Sequence, residues 1–206
     1  MRAYASRTGT KRNLAALRKV GWRLLISATG SHRDEGFPYG LDNGAWTAFQ
    51  QGRQFDRAAF LRLLGSHGAG ADWCVVPDIV QGGMESLEFS RGWLGVVLAS
   101  TRTALIAVQD GMTPGDVAPL LGSRVGIAVG GSTDWKEKTA REWGALSREA
   151  GCYLHILRVN SRRRIFICQD AGAHSFDGTS VTRFASTLPR LDYAVRQQHL
   201  WSGKCL

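Results

Sequence analysis

The feature that most constrains the fold is a series of eight short apolar segments, most of them separated by stretches with helical character. Strands are predicted at Arg2 to Ala5, Arg23 to Ala28, Pro38 to Leu41, Asp72 to Val76, Thr103 to Val108, Val125 to Val129, Tyr153 to Arg158 and Ser175 to Asp177. Helices are predicted at Lys11 to Val20, Asp56 to Leu64, Met84 to Leu98, Pro114 to Leu121, Trp135 to Ala150, Arg162 to Ala171, Thr179 to Leu188 and Leu191 to Leu200. Strands that alternate with helices are typical of parallel sheets.

Eight such units favour closure, so the predicted fold class is α/β, a compact (β/α)8 barrel of the TIM type. The 206 residues fit a single domain, and residues 1–206 show no linker, low-complexity tract or internal repeat. An open, doubly wound sheet is the alternative. Such a sheet usually carries a GxGxxG or GxxxxGKS/T loop, and neither motif is present.

The charge of the chain is the first indication of a partner. There are 26 Lys and Arg against 17 Asp and Glu, a formal net charge of +9. This excess suits a nucleic acid, although many basic proteins bind none. The four cysteines form no CxxC pair, which argues against a zinc ribbon, and Cys74 and Cys152 are expected to be buried thiols. No secretory signal or membrane-spanning run is visible, so we expect a cytoplasmic protein outside membranes.

Polar residues follow the apolar runs, at positions that meet on the active-site end of a βα-barrel. They are Asp42, Asn43 and Gly44; Asp78; Gln109 and Asp110; Gly130 and Gly131; Arg158 and Asn160; and Asp177, Gly178 and Thr179. Taken singly, each has a structural explanation. Asp177 would be a helix N-cap, and the segments 42–44 and 109–111 would be turns. Their recurrence after strand after strand favours a functional site.

Paired carboxylates without a metal suit substitution at an anomeric carbon, where one attacks C1′ and another handles the proton of the leaving group. The sequence places no His beside these motifs and shows no Ser–His or Cys–His pairing. It also lacks metal-ligand spacing, so no metal is predicted. Asp78 and Gln109 are candidates to read a purine edge together with the backbone of Gly130 and Gly131, and Trp46 to stack on its face.

At these residues the sequence resembles the tRNA-guanine transglycosylase (queuine tRNA-ribosyltransferase) superfamily. It resembles more closely the short phage and bacterial members that place 7-deazaguanines in DNA. The similar segments run in the family's order and cover most of the chain after residue 38: LDNGAW at Leu41, VVPDIV at Val75, VQDGM at Val108, GIAVGGSTDW at Gly126, HILRVNSRRRI at His155 and AGAHSFDGTSVTRFA at Ala171.

The resemblance implies a TIM-type barrel and a double displacement through a covalent nucleic-acid intermediate. It implies Asp177 as the nucleophile and Asp42 as the general acid and base. The positions that it implies for base binding are Asp78, Gln109, Gly130, Gly131, Trp46 and Asn43. It implies no redox or nucleotide cofactor. The co-substrate would be a free 7-deazaguanine base, in the 7-cyano form.

The chain departs from the tRNA enzymes in ways that shift the expected substrate. Those enzymes carry a CxCxxC…H zinc site after the nucleophile, whereas only His199 and Cys205 of these residue types follow Asp177. Their extra tRNA-contacting segments have no room here. DNA is therefore the expected partner, and a helper protein that opens the duplex is left open. The alternatives are the same exchange on tRNA, a non-catalytic nucleic-acid-binding barrel, and a phosphate-binding metabolic enzyme.

Four arginines after the seventh predicted strand are candidates for contacts with the nucleic-acid backbone. They are Arg158, Arg162, Arg163 and Arg164. The alternative is a solvated basic start of a helix. Basic side chains at a helix N-terminus oppose the helix dipole, which is a mild cost that favours a functional reason for them.

Overall fold

The computed structural model describes residues 1–7, 10–184 and 186–197. Its strands are β1 (Arg2–Ser6), β2 (Arg23–Ser27), β3 (Tyr39–Asp42), β4 (Cys74–Val75), β5 (Ala104–Val108), β6 (Val125–Val129), β7 (Leu154–Ile156) and β8 (Ser175–Gly178). Its helices are α1 (Lys11–Val20), α2 (Ala45–Gln50), α3 (Arg57–His67), α4 (Gly83–Ser100), α5 (Pro114–Val117), α6 (Thr133–Glu149), α7 (Arg162–Asp170), α8 (Ser180–Arg183) and α9 (Thr187–Arg196). Short 3-10 turns lie at Gly68–Gly70 and Ala118–Leu120.

The eight strands form a closed barrel in sequence order, and each pairs in parallel with its neighbours. Closure occurs between β1 and β8, where Tyr4 lies opposite Asp177. The predicted α/β fold class and the TIM-type barrel are therefore confirmed. Because all strands run in the same direction, the residues that follow them lie at one end of the barrel, which we call the carboxyl end.

Aromatic side chains fill the interior of the barrel beneath the carboxyl end. The Trp73 ring lies 4.9 Å from that of Tyr4 and 4.4 Å from that of His155, measured between centroids. Gly40 makes room for the indole, because a Cβ at this position would lie 2.6 Å from the Trp73 ring. The interior is thus a packed floor, and a ligand would have to bind above it.

The larger hydrophobic core lies between the strands and the surrounding helices. Leu24, Ile26, Leu41, Phe60 and Ile106 are among its fully buried members. The thiols of Cys74 and Cys152 are buried and free, as the sequence predicts. Across the described ranges, no helix is long and apolar enough to cross a membrane.

The helices differ most from the sequence prediction in two places. Helix α2 was not predicted, because its six residues directly follow the turn after β3 and give too short a periodic pattern. The predicted helix from Thr179 to Leu188 is wrong, because the chain becomes extended at Phe184 and a new helix begins at Thr187. Pro189 is accommodated in the first turn of α9, where no backbone N–H is needed. The predicted helix from Leu191 to Leu200 corresponds to the second part of α9, which ends at Arg196 because the chain is extended at Gln197. Residues 198–200 of that prediction lie outside the described residues.

Candidate functional site

The structure brings the sequence-predicted carboxylates together at the carboxyl end. Asp177 lies on β8 and Asp42 ends β3, while Asp78 follows β4 by three residues. These carboxylates are close enough to interact. In addition to burial, the Asp177 charge raises the pKa of Asp42, and the Asp42 charge raises the pKa of Asp78. Arg158, in the loop after β7, interacts with Asp177 and Asp78 and so bridges the two sides of the site.

Asp177 is held by one of its two carboxylate oxygens. Its side chain is 5% exposed, and Oδ1 accepts hydrogen bonds from the backbone N–H of Arg158 at 3.1 Å and from His155 Nε2 at 3.1 Å. No hydrogen bond from the described residues reaches Oδ2. The carboxylate is therefore fixed in orientation and keeps one oxygen for a reacting atom.

The structure excludes the simplest alternative role of Asp177, that of a helix cap. The backbone N–H groups of Thr179 and Ser180 both donate to Oδ1 of Asn160, each at 2.9 Å. Asn160 thus satisfies the donors at the start of α8 from a different loop. Asp177 is left without a structural task at that helix.

The expectation that no His lies beside the motifs is wrong. His155, on β7, is completely buried, with Nδ1 2.7 Å from Ser175 Oγ and Nε2 against Asp177. Tyr153 donates its hydroxyl proton to the same Ser175 Oγ at 2.9 Å. Ser175 can then donate to Nδ1, which places the imidazole proton on Nε2, where it faces Asp177.

A sequence signal for His155 did exist. Alternate residues of an extended chain face the same side, so Tyr153, directly before β7, and His155 on β7 face the barrel interior, as Ser175 and Asp177 do on β8. The register pairs His155 with Ser175. A histidine inside a strand is a weaker signal than a polar residue after one, because a residue inside a strand faces the core of the barrel more often than a ligand.

Asp42 is partly exposed to the site but surrounded by protein atoms. Burial, the largest cause, and the Asp177 carboxylate raise the pKa of Asp42 to about 6, against the lowering effect of hydrogen bonds from Ser27 and Gly44. The N–H of Gly44 donates to Asp42 Oδ2 at 3.2 Å. A carboxyl group with this pKa can give and take a proton near neutral pH.

Asp78 faces Asp42 from the next strand and is held by Asn43. Burial, followed by the Asp42 charge, raises the pKa of Asp78 to about 6, although Asn43 and Arg158 lower it. Asn43 Nδ2 donates to Asp78 Oδ1 at 2.7 Å and to the Val76 carbonyl at 2.8 Å. Asn43 Oδ1 accepts from the N–H of Ala45 at 2.8 Å. Both Nδ2 hydrogens and one lone pair of Oδ1 are engaged, so these contacts give Asn43 a positioning role for Asp78.

Gln109 and the Gly130–Gly131 pair lie at the ends of β5 and β6. Gln109 is 4% exposed and its Nε2 donates to the Ile79 carbonyl at 2.9 Å, which fixes the amide. Gly130 continues the sheet by donating to the Val108 carbonyl. Gly131 has a φ of +69°, and a Cβ there would lie 2.6 Å from Asp110 Oδ2. Glycine is therefore required at 131 by both conformation and space.

Arg158 occupies the middle of the site. Its guanidinium lies 4.1 Å above the Trp46 ring and donates to the Gly131 carbonyl. Its backbone is in the left-handed region, with a φ of +58°, which is uncommon for a residue other than glycine. Trp46 is 36% exposed, and its other neighbour is the stacked ring of Phe49. The aromatic face predicted for a base is covered by this arginine.

The three arginines at the start of α7 differ from Arg158. Arg163 and Arg164 both form ion pairs with Glu137 of α6, and Arg162 lies over the Phe166 ring at 6.0 Å. Arg162 and Arg163 are exposed at the rim of the carboxyl end. A backbone phosphate at Arg163 or Arg164 would compete with the Glu137 carboxylate, whereas the contact of Arg162 leaves its charge available.

Lys136 is a further charged residue that the sequence analysis missed. It is 4% exposed, and its Nζ donates to the Leu157 carbonyl, directly before Arg158. Burial, followed by the Arg158 charge, lowers the pKa of Lys136 to about 8, although Asp177 opposes the shift. Nothing in the sequence distinguishes this lysine from others on an amphipathic helix. Its contact holds the loop that donates to Asp177.

Comparisons with known proteins leave the family open. No protein-family model matches the chain, and a search of curated proteins finds no significant match. Over residues 1–7, 10–184 and 186–197, no group of three or more His, Cys, Asp or Glu side chains is arranged to hold a metal ion. What the fold and the site define together is a closed parallel barrel with three interacting aspartates at its carboxyl end.

Proposed function

We propose that this protein is a base-exchanging transglycosylase that replaces guanine in DNA with a 7-deazaguanine through a covalent intermediate on Asp177. The observation that carries the proposal is the asymmetric environment of the Asp177 carboxylate. Oδ1 accepts two hydrogen bonds, and Oδ2 accepts none from the described residues. Beside it lies Asp42, a carboxyl group whose pKa of about 6 suits proton transfer.

In the first half of the proposed reaction, Asp177 Oδ2 attacks C1′ of the target nucleotide as the bond from C1′ to N9 breaks. Asp42 gives its proton to the departing guanine. In the second half, Asp42 takes the N9 proton of the incoming base, and N9 displaces Asp177 from C1′. Two displacements at the same carbon retain its configuration, as in retaining glycosidases. Both protons and both bonds are thus accounted for without a redox or nucleotide cofactor.

His155 acts in this proposal as a positioning residue for Asp177. A neutral imidazole with its proton on Nε2 donates to Oδ1 and leaves Oδ2 as the oxygen with fewer hydrogen bonds. The Arg158 N–H stabilises the same oxygen. Both donors bind the same carboxylate oxygen and so hold Asp177 in one orientation for attack.

Base recognition requires Arg158 to leave the face of Trp46. A purine stacked on Trp46 would take the place of the guanidinium, and Asp78 and Gln109 would then be close to its hydrogen-bonding edge. The displaced arginine keeps a positive charge at the mouth of the site, where a phosphate of the extruded nucleotide would lie. This exchange of partners is consistent with the uncommon backbone conformation of Arg158.

DNA is the proposed substrate, with the 7-cyano form as the incoming base and tRNA as the alternative. The net charge of +9 favours either polyanion. The choice of DNA rests on the resemblance of the motifs to the DNA-directed enzymes. A non-catalytic barrel that only binds nucleic acid is less favoured, because binding requires neither a free Asp177 oxygen nor a buried Asp42.

The test is incorporation of labelled guanine into single-stranded DNA, double-stranded DNA and tRNA, with trapping of the covalent adduct on a denaturing gel. We expect incorporation and an adduct with DNA, and a loss of both by about 10³-fold or more in Asp177→Asn. Asp170→Asn, on the surface of α7, is the matched control. Salt-dependent DNA binding without exchange by the unaltered protein would contradict the proposal. Exchange into tRNA alone would show that tRNA, the alternative substrate, is the correct one.

A further inference from the structure

We propose that a cavity beside Asp42 is a second subsite, which binds the backbone phosphates of the nucleotide next to the one exchanged. This inference rests on the proposed function and deepens it. The cavity has a volume of about 550 Å³ and lies between the loop after β2 and helices α2 and α3. Its polar lining includes Thr29, His32, Gln51, Arg53, Gln54 and Arg62.

The cavity adjoins the site at the end of β2, where one lining residue is hydrogen-bonded to Asp42. Ala28 lines the cavity and donates its backbone N–H to the Asp42 carbonyl at 3.1 Å. Ser27, which hydrogen-bonds to the Asp42 side chain, lies 3.2 Å from Thr29 through their hydroxyl oxygens. A strand whose reacting nucleotide reached Asp42 would therefore continue past this opening.

The charge of the cavity suits phosphate. Within the described parts of the chain, the guanidinium groups of Arg53 and Arg62 make no hydrogen bond, ion pair or ring contact. Some other exposed arginines form ion pairs, such as Arg141 with Asp170 and Arg196 with Asp192. The one carboxylate in the lining belongs to Asp56, whose Oδ1 caps α3 by accepting from the Ala59 N–H at 2.8 Å. Two guanidinium groups thus face the cavity without a partner.

The floor of the cavity is made of small side chains. Ala28, Ala48 and Ala59 are all buried and line the opening. Larger residues at these positions would fill it. The resulting volume is in the range that accommodates small ligands, so a sugar and its phosphate fit. Thr29, Gln51 and Gln54 add hydrogen-bonding groups that suit the phosphate oxygens.

The test compares two double variants that remove the same charge. Arg53→Ala/Arg62→Ala changes the cavity, and Lys19→Ala/Arg102→Ala removes two exposed cations at the opposite end of the barrel. Binding of a fluorescein-labelled single-stranded DNA 12-mer is measured by anisotropy over a range of salt concentrations. We expect the cavity variant to bind about 10-fold to 100-fold more weakly, with a salt slope smaller by about 1.4, and the control to bind as the unaltered protein does.

Equal effects of the two double variants would overturn the inference, because net charge alone would then explain them. So would deoxyguanosine monophosphate binding as tightly as the 12-mer, since a site for a flanking phosphate needs a longer strand. The same variants are assayed for base exchange. If the unaltered protein exchanges and the cavity variant keeps its kcat/KM, the cavity inference fails alone. If the unaltered protein does not exchange but the cavity variant loses binding, the cavity stands and the transglycosylase proposal fails.

Discussion

The carboxylates at the two ends of the barrel have opposite kinds of neighbours. At the amino end, Asp72 accepts from the Tyr4 hydroxyl at 2.8 Å and forms an ion pair with Arg23. At the carboxyl end, burial raises the pKa of both Asp42 and Asp78, and a neighbouring carboxylate adds to each shift, Asp177 at Asp42 and Asp42 at Asp78. The first arrangement neutralises a charge and joins β1, β2 and the start of β4. The second concentrates like charges, which costs stability and is typical of sites that do chemistry.

The difference teaches that a carboxylate in this barrel can be assigned a role from its partners. Asp72 has a cation and a hydroxyl, and both fully occupy its oxygens. Asp177 has two donors on one oxygen. Asp42 has donors that only partly offset its burial. Substitutions at four residues would break or sharpen this contrast.

The largest expected effect is on activity. Asp42→Asn should lower base exchange by about 10²-fold to 10⁴-fold, because the amide cannot transfer the proton of the leaving base. Asp72→Asn, at the other end, should leave kcat per folded molecule within about 2-fold. Both are measured by incorporation of labelled guanine, with folded protein quantified by circular dichroism. An equal loss in the two variants would remove the distinction between the ends.

The next effect concerns the orientation of Asp177. His155→Ala should slow adduct formation by about 10-fold to 100-fold with little change in KM, since the donor acts on the nucleophile and not on substrate binding. His155→Gln should recover part of the rate, because its amide N–H can reach Asp177 Oδ1. Single-turnover adduct formation measures both. A KM effect without a kcat effect would contradict a positioning role.

At the amino end, the expected effect is on stability. Asp72→Asn should reduce the free energy of unfolding by about 1–2 kcal/mol, because Arg23 and the Tyr4 hydroxyl lose a charged partner in a partly buried position. Urea denaturation at pH 7 measures it. An unchanged free energy of unfolding would indicate that this ion pair stabilises the fold no more than a surface ion pair does.

The smallest expected effect is an increase in stability, at Asp78. The raised pKa of Asp78 means that folding favours its protonated form. The associated stability is fully present below the unfolded pKa near 4 and is lost as pH rises through about 6. Asp78→Asn should therefore be more stable than the unaltered protein by about 1 kcal/mol at pH 8, and equal at pH 4. Thermal unfolding at the two pH values checks this, and a stability loss at pH 8 would show that attraction to Arg158 dominates. Base selection should change in the same variant.

Much of the fold could be predicted from the sequence, because apolar runs alternated with helical segments along the whole chain. All eight predicted strands are present, and Ser132 and Asp56 cap α6 and α3 at the positions that their side chains favour. The last two helices could not be bounded, since Pro189 fits equally after one helix or in the first turn of another. That decision depends on how Leu188 and Leu191 pack on the core.

The sequence by itself determined that Asp42, Asp78, Gln109 and Asp177 would lie at one end of a parallel barrel, because strand direction alone places them there. Only the tertiary structure decided their individual tasks. In the folded chain, the Asn43 amide binds Asp78, and Asn160 accepts the hydrogen bonds at the start of α8. His155 lies against Asp177, and the Arg158 guanidinium lies over the Trp46 ring. These contacts join residues from different strands and loops. No local pattern encodes them, because they depend on the register and closure of the barrel.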